Sequence, residues 1–265
     1  MPIAENGRVR LHYEVSGCSD GAPLVLMNSL GSDLRMWDKV VSVFEKRWRV
    51  LRYDVRGHGD SSVPKPPYTI EQLGIDLLFL LDTCGIERAC FCGLSLGGLT
   101  AMWMGLFAPH RVERMVLANT AARIGTLAGW DERVAAVRSA GMVPLAEATL
   151  GRWFTPAYRA QYPDEMEAIR AMISRTHPDG YSGCCGALRN TDLRGELGAV
   201  EAPCLVIAGT HDPATPREDG RGIHAALRGS KYVELDASHL SAWERADEFA
   251  REAGAFLAGE ERIDG

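Results

Sequence analysis

Residues 91–99 read Phe-Cys-Gly-Leu-Ser-Leu-Gly-Gly-Leu and contain the pattern Gly-x-Ser-x-Gly around Ser95. An apolar run, residues 89–92, precedes the pattern and a helical run follows it, which predicts a sharp turn between a strand and a helix. A serine on such a turn has strained backbone, and side chains at Gly93 and Gly97 would collide with the neighbouring strand and helix. Because the turn lifts the hydroxyl out of the sheet, the stretch predicts that Ser95 is a nucleophile.

The composition is typical of a large folded domain. The chain has 265 residues, of which 46% are hydrophobic, enough for one α/β domain with an inserted subdomain. Its formal net charge of -6 argues against nucleic acid or an anionic membrane as partner. The same charge means that an anionic substrate would need a local cation. The sequence is compatible with a monomer or a homo-oligomer.

The cysteines and the N-terminal residues predict a cytoplasmic protein. Seven cysteines are scattered through the chain, and no Cys-x-x-Cys pair accompanies a metal-ligand pattern. Free thiols in a reducing cytosol explain them most simply, and we expect neither a metal ion nor a cofactor. The first residues lack the basic and apolar regions of a signal peptide, and no apolar stretch reaches the roughly 20 residues of a membrane helix.

Short apolar runs alternate with amphipathic runs along most of the chain. This rhythm predicts a mostly parallel twisted sheet covered by helices on both faces. The strands are predicted at residues 9–15, 24–27, 48–53, 89–92, 115–118, 204–208 and 232–235, and the helices at 36–44, 69–83, 99–107, 216–227 and 242–257. Thr69 and Gln72 have the spacing of a capping box, which marks the start of the second helix.

The rhythm breaks between residues 120 and 193, where no convincing strand occurs. This segment predicts helices at residues 130–139, 144–150, 156–176 and 178–190, several of which have a proline near the start. We therefore expect a core domain made of residues 1–119 and 194–265, with residues 120–193 inserted as a helical cap.

A serine hydroxyl needs a positioned base, and His239 is the best candidate among the seven histidines. It lies in a loop after the last strand, at the edge where the carboxyl ends of parallel strands meet. Asp212 follows the strand at 204–208 and reaches the same edge, so it is the expected orienting carboxylate. Two alternatives are that Asp212 only initiates a turn and that Asp236 takes its role. The order Ser95, Asp212, His239 matches the hydrolase order of serine, acid and histidine.

Acyl transfer also needs hydrogen-bond donors for the developing oxyanion. The backbone N–H of Leu96, directly after the nucleophile, supplies one. The loop after the strand at 24–27 should supply the second, with Leu30 preferred and Ser29 as the alternative. His58 lies in a tight connection between Gly57 and Gly59, and we do not expect it to be a catalytic residue.

Together these residues resemble the α/β-hydrolase fold, and within it the 3-oxoadipate enol-lactonases of aromatic catabolism. The resemblance covers nearly the whole chain and rests on residues 30–38, 54–59, 93–98, 212–216 and 238–239. It implies a cofactor-free hydrolase that opens 3-oxoadipate enol-lactone to 3-oxoadipate through an acyl-enzyme on Ser95. Esterases and cofactor-free haloperoxidases or perhydrolases share most of these motifs, so a general carboxylesterase is the first alternative. A non-catalytic ligand-binding protein of the same fold is the second.

The predicted cap carries the resemblance to the lactonases most specifically, at residues 129–133, 152–156 and 181–185. The lactone that the resemblance implies has a free carboxylate, and the acidic protein must hold it with a cation. Arg133, one helical turn from Trp130, is the candidate, with Trp130 and Trp153 as apolar walls of the pocket. Solvated arginine and ordinary packing of the two indoles are the alternatives for these residues.

Overall fold

An eight-stranded sheet forms the centre of the computed structural model, which describes residues 2–260. Residue 1 and residues 261–265, which belong to the expected core domain, lie outside the described part. The strands are β1 Ile3–Asn6, β2 Val9–Gly17, β3 Pro23–Met27, β4 Arg49–Tyr53, β5 Ala89–Leu94, β6 Val112–Ala118, β7 Cys204–Gly209 and β8 Lys231–Leu235. Their order across the sheet is β1-β2-β4-β3-β5-β6-β7-β8.

The sheet is mostly parallel, which confirms the predicted fold class. Only β1 with β2 and β2 with β4 pair antiparallel, while every pair from β4 to β8 is parallel. All residues of β5 and β7 are buried, as expected for strands that are covered on both faces. Their continuous apolar sequences follow from that double cover.

Helices cover the sheet and fill the segment between β6 and β7. The α-helices are α1 Val41–Phe44, α2 Ile70–Thr83, α3 Leu96–Phe107, α4 Leu127–Ala140, α5 Val143–Trp153, α6 Pro156–Gln161, α7 Pro163–Arg175, α8 Pro178–Asn190, α9 Arg217–Ala226, α10 Ser241–Glu244 and α11 Ala246–Leu257. The capping box at the start of α2 forms as predicted, because the Thr69 side chain and the Gln72 side chain each bond the other's backbone amide.

Three predicted helices are interrupted in the structure. The helix expected at 36–44 is a 3-10 turn at Leu34–Trp37 followed by the short α1, because Trp37 is tied back to the Asn28 side chain. The helix expected at 156–176 is split into α6 and α7 at Pro163, which has no N–H to continue the first helix. The last predicted helix breaks at Arg245, between α10 and α11.

The first strand, β1, was not predicted from the sequence. It is a short edge strand that forms a hairpin with β2, and Gly7 at the turn has a φ of 60°. An edge strand of four residues has too little alternation to be recognised from its own sequence.

The carboxyl ends of β5, β6 and β7 meet at one edge of the sheet, and helices α4 to α8 lie in the chain between β6 and β7. Ser95 follows β5, Asn119 follows β6, and the loop with Asp212 follows β7. Among the described helices, none has the length and apolar character needed to cross a membrane.

Candidate active site

Ser95 lies on the sharp turn between β5 and α3. Its φ of 58° is unusual for a residue with a side chain, which identifies a strained backbone. A Cβ on Gly93 would lie 2.4 Å from the Gly97 carbonyl oxygen, and one on Gly97 would lie 2.1 Å from the Met27 carbonyl oxygen. The collisions predicted for the two glycines are therefore confirmed, with α3 for Gly93 and with β3 for Gly97.

His239 and Asp212 are hydrogen-bonded to each other in a buried environment. The distance from His239 Nδ1 to Asp212 Oδ2 is 2.8 Å, and both side chains are almost fully enclosed. Because Asp212 occupies Nδ1, the ring nitrogen left to exchange a proton with a substrate or nucleophile is Nε2. His239 and Ser95 line the same cavity. The structure thus brings together the three residues that the sequence singled out.

Asp212 is held by a set of donors that also controls its charge. Its Oδ2 accepts from Asn119 Nδ2 at 3.0 Å and from the Thr215 hydroxyl at 2.8 Å, and its Oδ1 accepts from the amides of Ala214 and Thr215. Burial opposes ionisation of this carboxyl, but His239 and the hydrogen bonds outweigh it and lower the pKa of Asp212 below its usual value. The group is therefore a carboxylate, and its bond to His239 Nδ1 orients the imidazole ring.

Asp236, the alternative carboxylate, points elsewhere. Its side chain is exposed and bonds His211 at 2.8 Å and Arg245 at 2.7 Å. Asn119 directly follows the neighbouring strand, β6, and its side-chain amide donates to Asp212 and to the Ser238 carbonyl. The sequence showed only that an asparagine ends this strand, and nothing in its spacing identified it as a partner of Asp212.

The backbone amides of the loop after β3 differ in whether a neighbouring group accepts a hydrogen bond from them. The Ser29 amide donates to the Met36 sulfur at 3.2 Å, and the Gly31 amide donates to His58 Nε2 at 3.0 Å. The Ser32 amide donates to the Ser29 carbonyl. Among residues 2–260, the Leu30 amide has no such acceptor, and Leu30 lines the same cavity as Ser95. Leu30 therefore fits the role of oxyanion donor better than Ser29. The N–H of Leu96, the first residue of α3, needs no intrahelical partner.

His58 supports the loop after β3 through a hydrogen bond to its backbone. Its ring is buried, and its Nδ1 lies 3.3 Å from the Arg56 carbonyl oxygen, which makes Nδ1 the donor and Nε2 the acceptor for Gly31. Burial lowers the pKa of His58 to about 4, so the ring is neutral near pH 7 and keeps its acceptor. Through its bond to the Gly31 amide, His58 therefore supports the loop that carries Leu30.

Replacement of His58 by Phe should destabilise the protein. The Gly31 amide would lose its buried acceptor, which costs about 1–3 kcal/mol in the free energy of unfolding. Urea denaturation of the variant measures this loss. His110→Phe is the matched control, because His110 is exposed at the far end of α3 and should change the free energy little. Equal stability of His58→Phe and the wild type would contradict the assigned hydrogen bond.

A cavity of about 270 Å³ opens over Ser95 and His239. Apolar and aromatic side chains form much of its wall, and two arginines enter it from the helices between β6 and β7. Its remaining lining residues are Ser29, Leu30, Ile124, Gly125, Thr126, Gly129, Trp130, Arg133, Thr149, Arg152, Trp153, Tyr181, Leu188, Pro213 and Ala214. The structure therefore places Trp130, Arg133 and Trp153 together at the site, as the sequence predicted.

Arg152 is a second cation in the cavity that the sequence analysis missed. Its pKa is lowered, first by burial and then by the positive charge of Arg133. Arg152 donates to the Thr149 hydroxyl at 2.9 Å, and Arg133 lies over the Trp130 ring, 5.0 Å from its centroid. Within residues 2–260, neither guanidinium forms a salt bridge with a carboxylate. Two like charges held together without a counter-ion favour an anionic ligand between or beside them.

Comparisons with known proteins agree with this geometry. A family model described as "alpha/beta hydrolase fold" matches residues 22–246. "3-oxoadipate enol-lactonase 2" of Acinetobacter baylyi is 40% identical over 241 residues, which cover 91% of this chain and 90% of that protein. "3-oxoadipate enol-lactonase 1" of the same organism is 36% identical over 93% of this chain and 92% of that protein.

Among solved structures, the enol-lactonase from Burkholderia xenovorans LB400 superposes with a TM-score of 0.96. It is 47% identical, and the match covers 97% of this chain and 100% of that one. The strained serine turn, the strand order and the family model all agree, and they show that this chain belongs to the alpha/beta hydrolase fold family.

Proposed function

We propose that this protein hydrolyses 3-oxoadipate enol-lactone to 3-oxoadipate, with Ser95, His239 and Asp212 as the catalytic residues. The observation that carries the proposal is the pair of arginines, Arg133 and Arg152, in the cavity that Ser95 and His239 line. The names of the relatives at 40% and 47% identity support the choice of lactone. This lactone has one carbonyl in the ring, which Ser95 can attack. It also has a free carboxylate on its side chain, which Arg133 and Arg152 can bind.

The first half of the reaction forms an ester on Ser95. His239 Nε2 takes the proton of the Ser95 hydroxyl, and the oxygen attacks the ring carbonyl. The developing oxyanion lies between the N–H groups of Leu96 and Leu30. Asp212 stabilises the imidazolium that forms. When the ring C–O bond breaks, the leaving group is an enolate that remains part of the same molecule. It takes the proton from the His239 imidazolium and becomes a ketone, which leaves His239 neutral for the next step.

The second half releases the product. His239 removes a proton from water, which attacks the ester carbonyl. The imidazolium then returns this proton to the departing Ser95 oxygen, which frees Ser95 and 3-oxoadipate. An enolate is a weaker base than an ordinary alkoxide, so ring opening demands less help from the imidazolium than cleavage of an alkyl ester. The chemistry needs no metal ion or cofactor at any of these steps.

The arginines bind and orient the free carboxylate in this scheme. Arg133 is held over Trp130 and interacts with the hydroxyl of Tyr181, so its guanidinium is fixed before the substrate arrives. Arg152 approaches from α5 beside Trp153. A carboxylate between them would relieve the repulsion of two like charges, and binding at this distance from the reacting carbonyl would orient the lactone ring towards Ser95.

Kinetic comparison of two substrates tests the proposal. Purified protein is assayed with 3-oxoadipate enol-lactone and with 4-nitrophenyl acetate, and the lactone product is identified by NMR. We expect a kcat/KM for the lactone that exceeds the value for the aryl ester, with 3-oxoadipate as product. A preference for the neutral aryl ester would favour a general carboxylesterase. Hydrolysis of neither compound would favour a non-catalytic ligand-binding protein.

Replacement of Arg133 or Arg152 by Gln should raise KM for the lactone. A charge-assisted hydrogen bond contributes about 1.5–3 kcal/mol, which corresponds to roughly a 10- to 100-fold rise. The KM for 4-nitrophenyl acetate should stay within about twofold, because that ester has no carboxylate. Arg138→Gln is the matched control, since Arg138 is exposed on the same helix, α4, as Arg133. An unchanged lactone KM in both variants would refute the carboxylate role.

The proposal also covers the domain organisation, the partners and the cellular location of the protein. Residues 120–193 act as a cap inserted in a core of residues 1–119 and 194–265, and the cap supplies both arginines. The substrate is the small anionic lactone, and nucleic acid and membranes are not partners. A cytoplasmic location is supported by the seven cysteines, all of which lie in the described part as free thiols.

A further inference from the structure

Glu244 is a buried carboxylate that joins two parts of the site. It ends the short helix α10, which follows His239 closely, and only 7% of its surface is exposed. One oxygen, Oε2, accepts from the Ser238 amide at 2.8 Å. The other, Oε1, accepts from the Thr155 amide at 3.1 Å and from the Thr155 hydroxyl. The carboxylate therefore links the residue before His239 to the residue that begins α6.

Two more hydrogen bonds connect the same segments. The Ser238 hydroxyl donates to the Arg152 carbonyl at 2.7 Å, and the Leu240 amide donates to the Trp153 carbonyl at 3.0 Å. These two carbonyls end α5 and have no partner within that helix. Ser238 and Leu240, on either side of His239, thus donate hydrogen bonds to the last carbonyls of α5, the helix that carries Arg152 and Trp153.

A buried carboxylate is costly unless its oxygens are fully bonded, and here three donors hold it in one orientation. Two of them are backbone amides, whose positions are fixed by the chain. The geometry points to a positional role, because a displacement of Glu244 would move the His239 loop relative to the cavity wall. Geometry of this kind matters since a misplacement of about 1 Å can lower a rate by roughly 100-fold.

We propose that Glu244 is a positioning residue, which fixes His239 against the cavity wall formed by Arg152 and Trp153. The inference rests on the proposed role of His239 as the base. Glu244 touches neither substrate nor nucleophile in this account. It acts through the Ser238 amide on one side and through Thr155 on the other, so that one carboxylate sets the distance between the base and the carboxylate-binding arginine.

Glu244→Gln tests the proposal, because its amide group can accept on only one side. The assay uses 4-nitrophenyl acetate, for which kcat/KM reports acylation of the enzyme and burst kinetics separate acylation from deacylation. His239 serves both steps, so we expect both rate constants to fall by roughly 10- to 100-fold, with KM for the fast acylation phase within about threefold. Loss of pocket shape alone would raise KM and leave the rate constants near the wild-type values.

Glu165→Gln is the matched control. Glu165 is another partly buried carboxylate between α7 and the core, where it bonds Lys39, Tyr158 and Trp243. Its replacement should lower the thermal midpoint while both rate constants stay within about twofold of wild type. Thr155→Val replaces by a methyl group the hydroxyl that donates to Glu244 and caps α6, and it should lower the rate constants in the same direction. Thr155→Ser keeps the hydroxyl and should leave them near the wild-type values. These two variants keep the test valid if Glu244→Gln does not fold.

Two results would overturn the positioning role. One is a Glu244→Gln protein with a lowered thermal midpoint and wild-type rate constants, as in the control. The other is a Thr155→Val protein with the same rate constants as Thr155→Ser. The wild-type protein could fail to open the enol-lactone while Glu244→Gln still lowers the rate constants for the aryl ester. That result would overturn the proposed substrate but not the positioning role of Glu244.

Discussion

Replacement of Ser95 by Ala should lower kcat/KM for the enol-lactone by roughly 10⁴- to 10⁶-fold, because the variant has no nucleophile. The residual rate would come from the oxyanion donors and from substrate binding. The fold should persist, since the turn is held by main-chain bonds. The Ser95 amide donates to the Ala118 carbonyl at 3.0 Å, and the Ser95 carbonyl accepts from the Thr120 hydroxyl at 2.7 Å.

Lactone decay at substrate and enzyme concentrations well below KM measures the loss of kcat/KM in Ser95→Ala, and circular dichroism with a thermal scan measures the fold. Alanine at a φ of 58° is about as strained as serine, so we expect a midpoint close to that of the wild type. Turnover within tenfold of wild type in a folded Ser95→Ala protein would contradict a covalent role for this residue.

Replacement of Asp212 by Asn should lower kcat by roughly 10³- to 10⁴-fold, with a smaller effect on KM. An asparagine amide that faces His239 Nδ1 would donate a hydrogen bond to it and place the ring proton on Nε2. His239 would then have no lone pair for the Ser95 hydroxyl. With the opposite orientation, the NH2 group of the asparagine would face the N–H groups of Ala214 and Thr215, which are donors as well. Neither orientation satisfies all five hydrogen bonds that Asp212 accepts.

The same variant should change how stability depends on pH. The pKa of Asp212 is lower in the folded protein than its ordinary value of 3.8, so its ionisation stabilises the fold above that value. This contribution is lost as the pH falls through the lowered pKa. The gap in unfolding free energy between wild type and Asp212→Asn should therefore narrow below about pH 4. Urea titrations at pH 7 and pH 3 measure it, and a constant gap would contradict the ionised, bonded state of Asp212.

The residues of the candidate active site could be named from the sequence because each follows a strand that the sequence also predicts. The flanking glycines identify Ser95, and Asp212 and His239 follow two predicted strands that correspond to β7 and β8. Leu30 was favoured over Ser29 from its loop, and the structure adds the reason. The Met36 sulfur, seven residues further along the chain, accepts a hydrogen bond from the Ser29 amide.

The residues that the sequence did not identify act through distant partners. Arg152 enters the cavity because α5 ends against the His239 loop, and Glu244 joins Ser238 to Thr155. No local pattern encodes contacts between segments that are so far apart in the chain. The breaks in two predicted helices have a similar origin. Trp37 donates a hydrogen bond to the Asn28 side chain, and Arg245, between α10 and α11, donates to Asp236.

The central claim is that the cavity selects an anionic lactone for attack by Ser95. The most direct measurement compares kcat/KM of the wild-type protein for 3-oxoadipate enol-lactone and for its methyl ester, which has the same ring and no charge. Our account predicts that the carboxylate form is preferred by at least about 10-fold, through Arg133 and Arg152. Equal or faster hydrolysis of the methyl ester would contradict it.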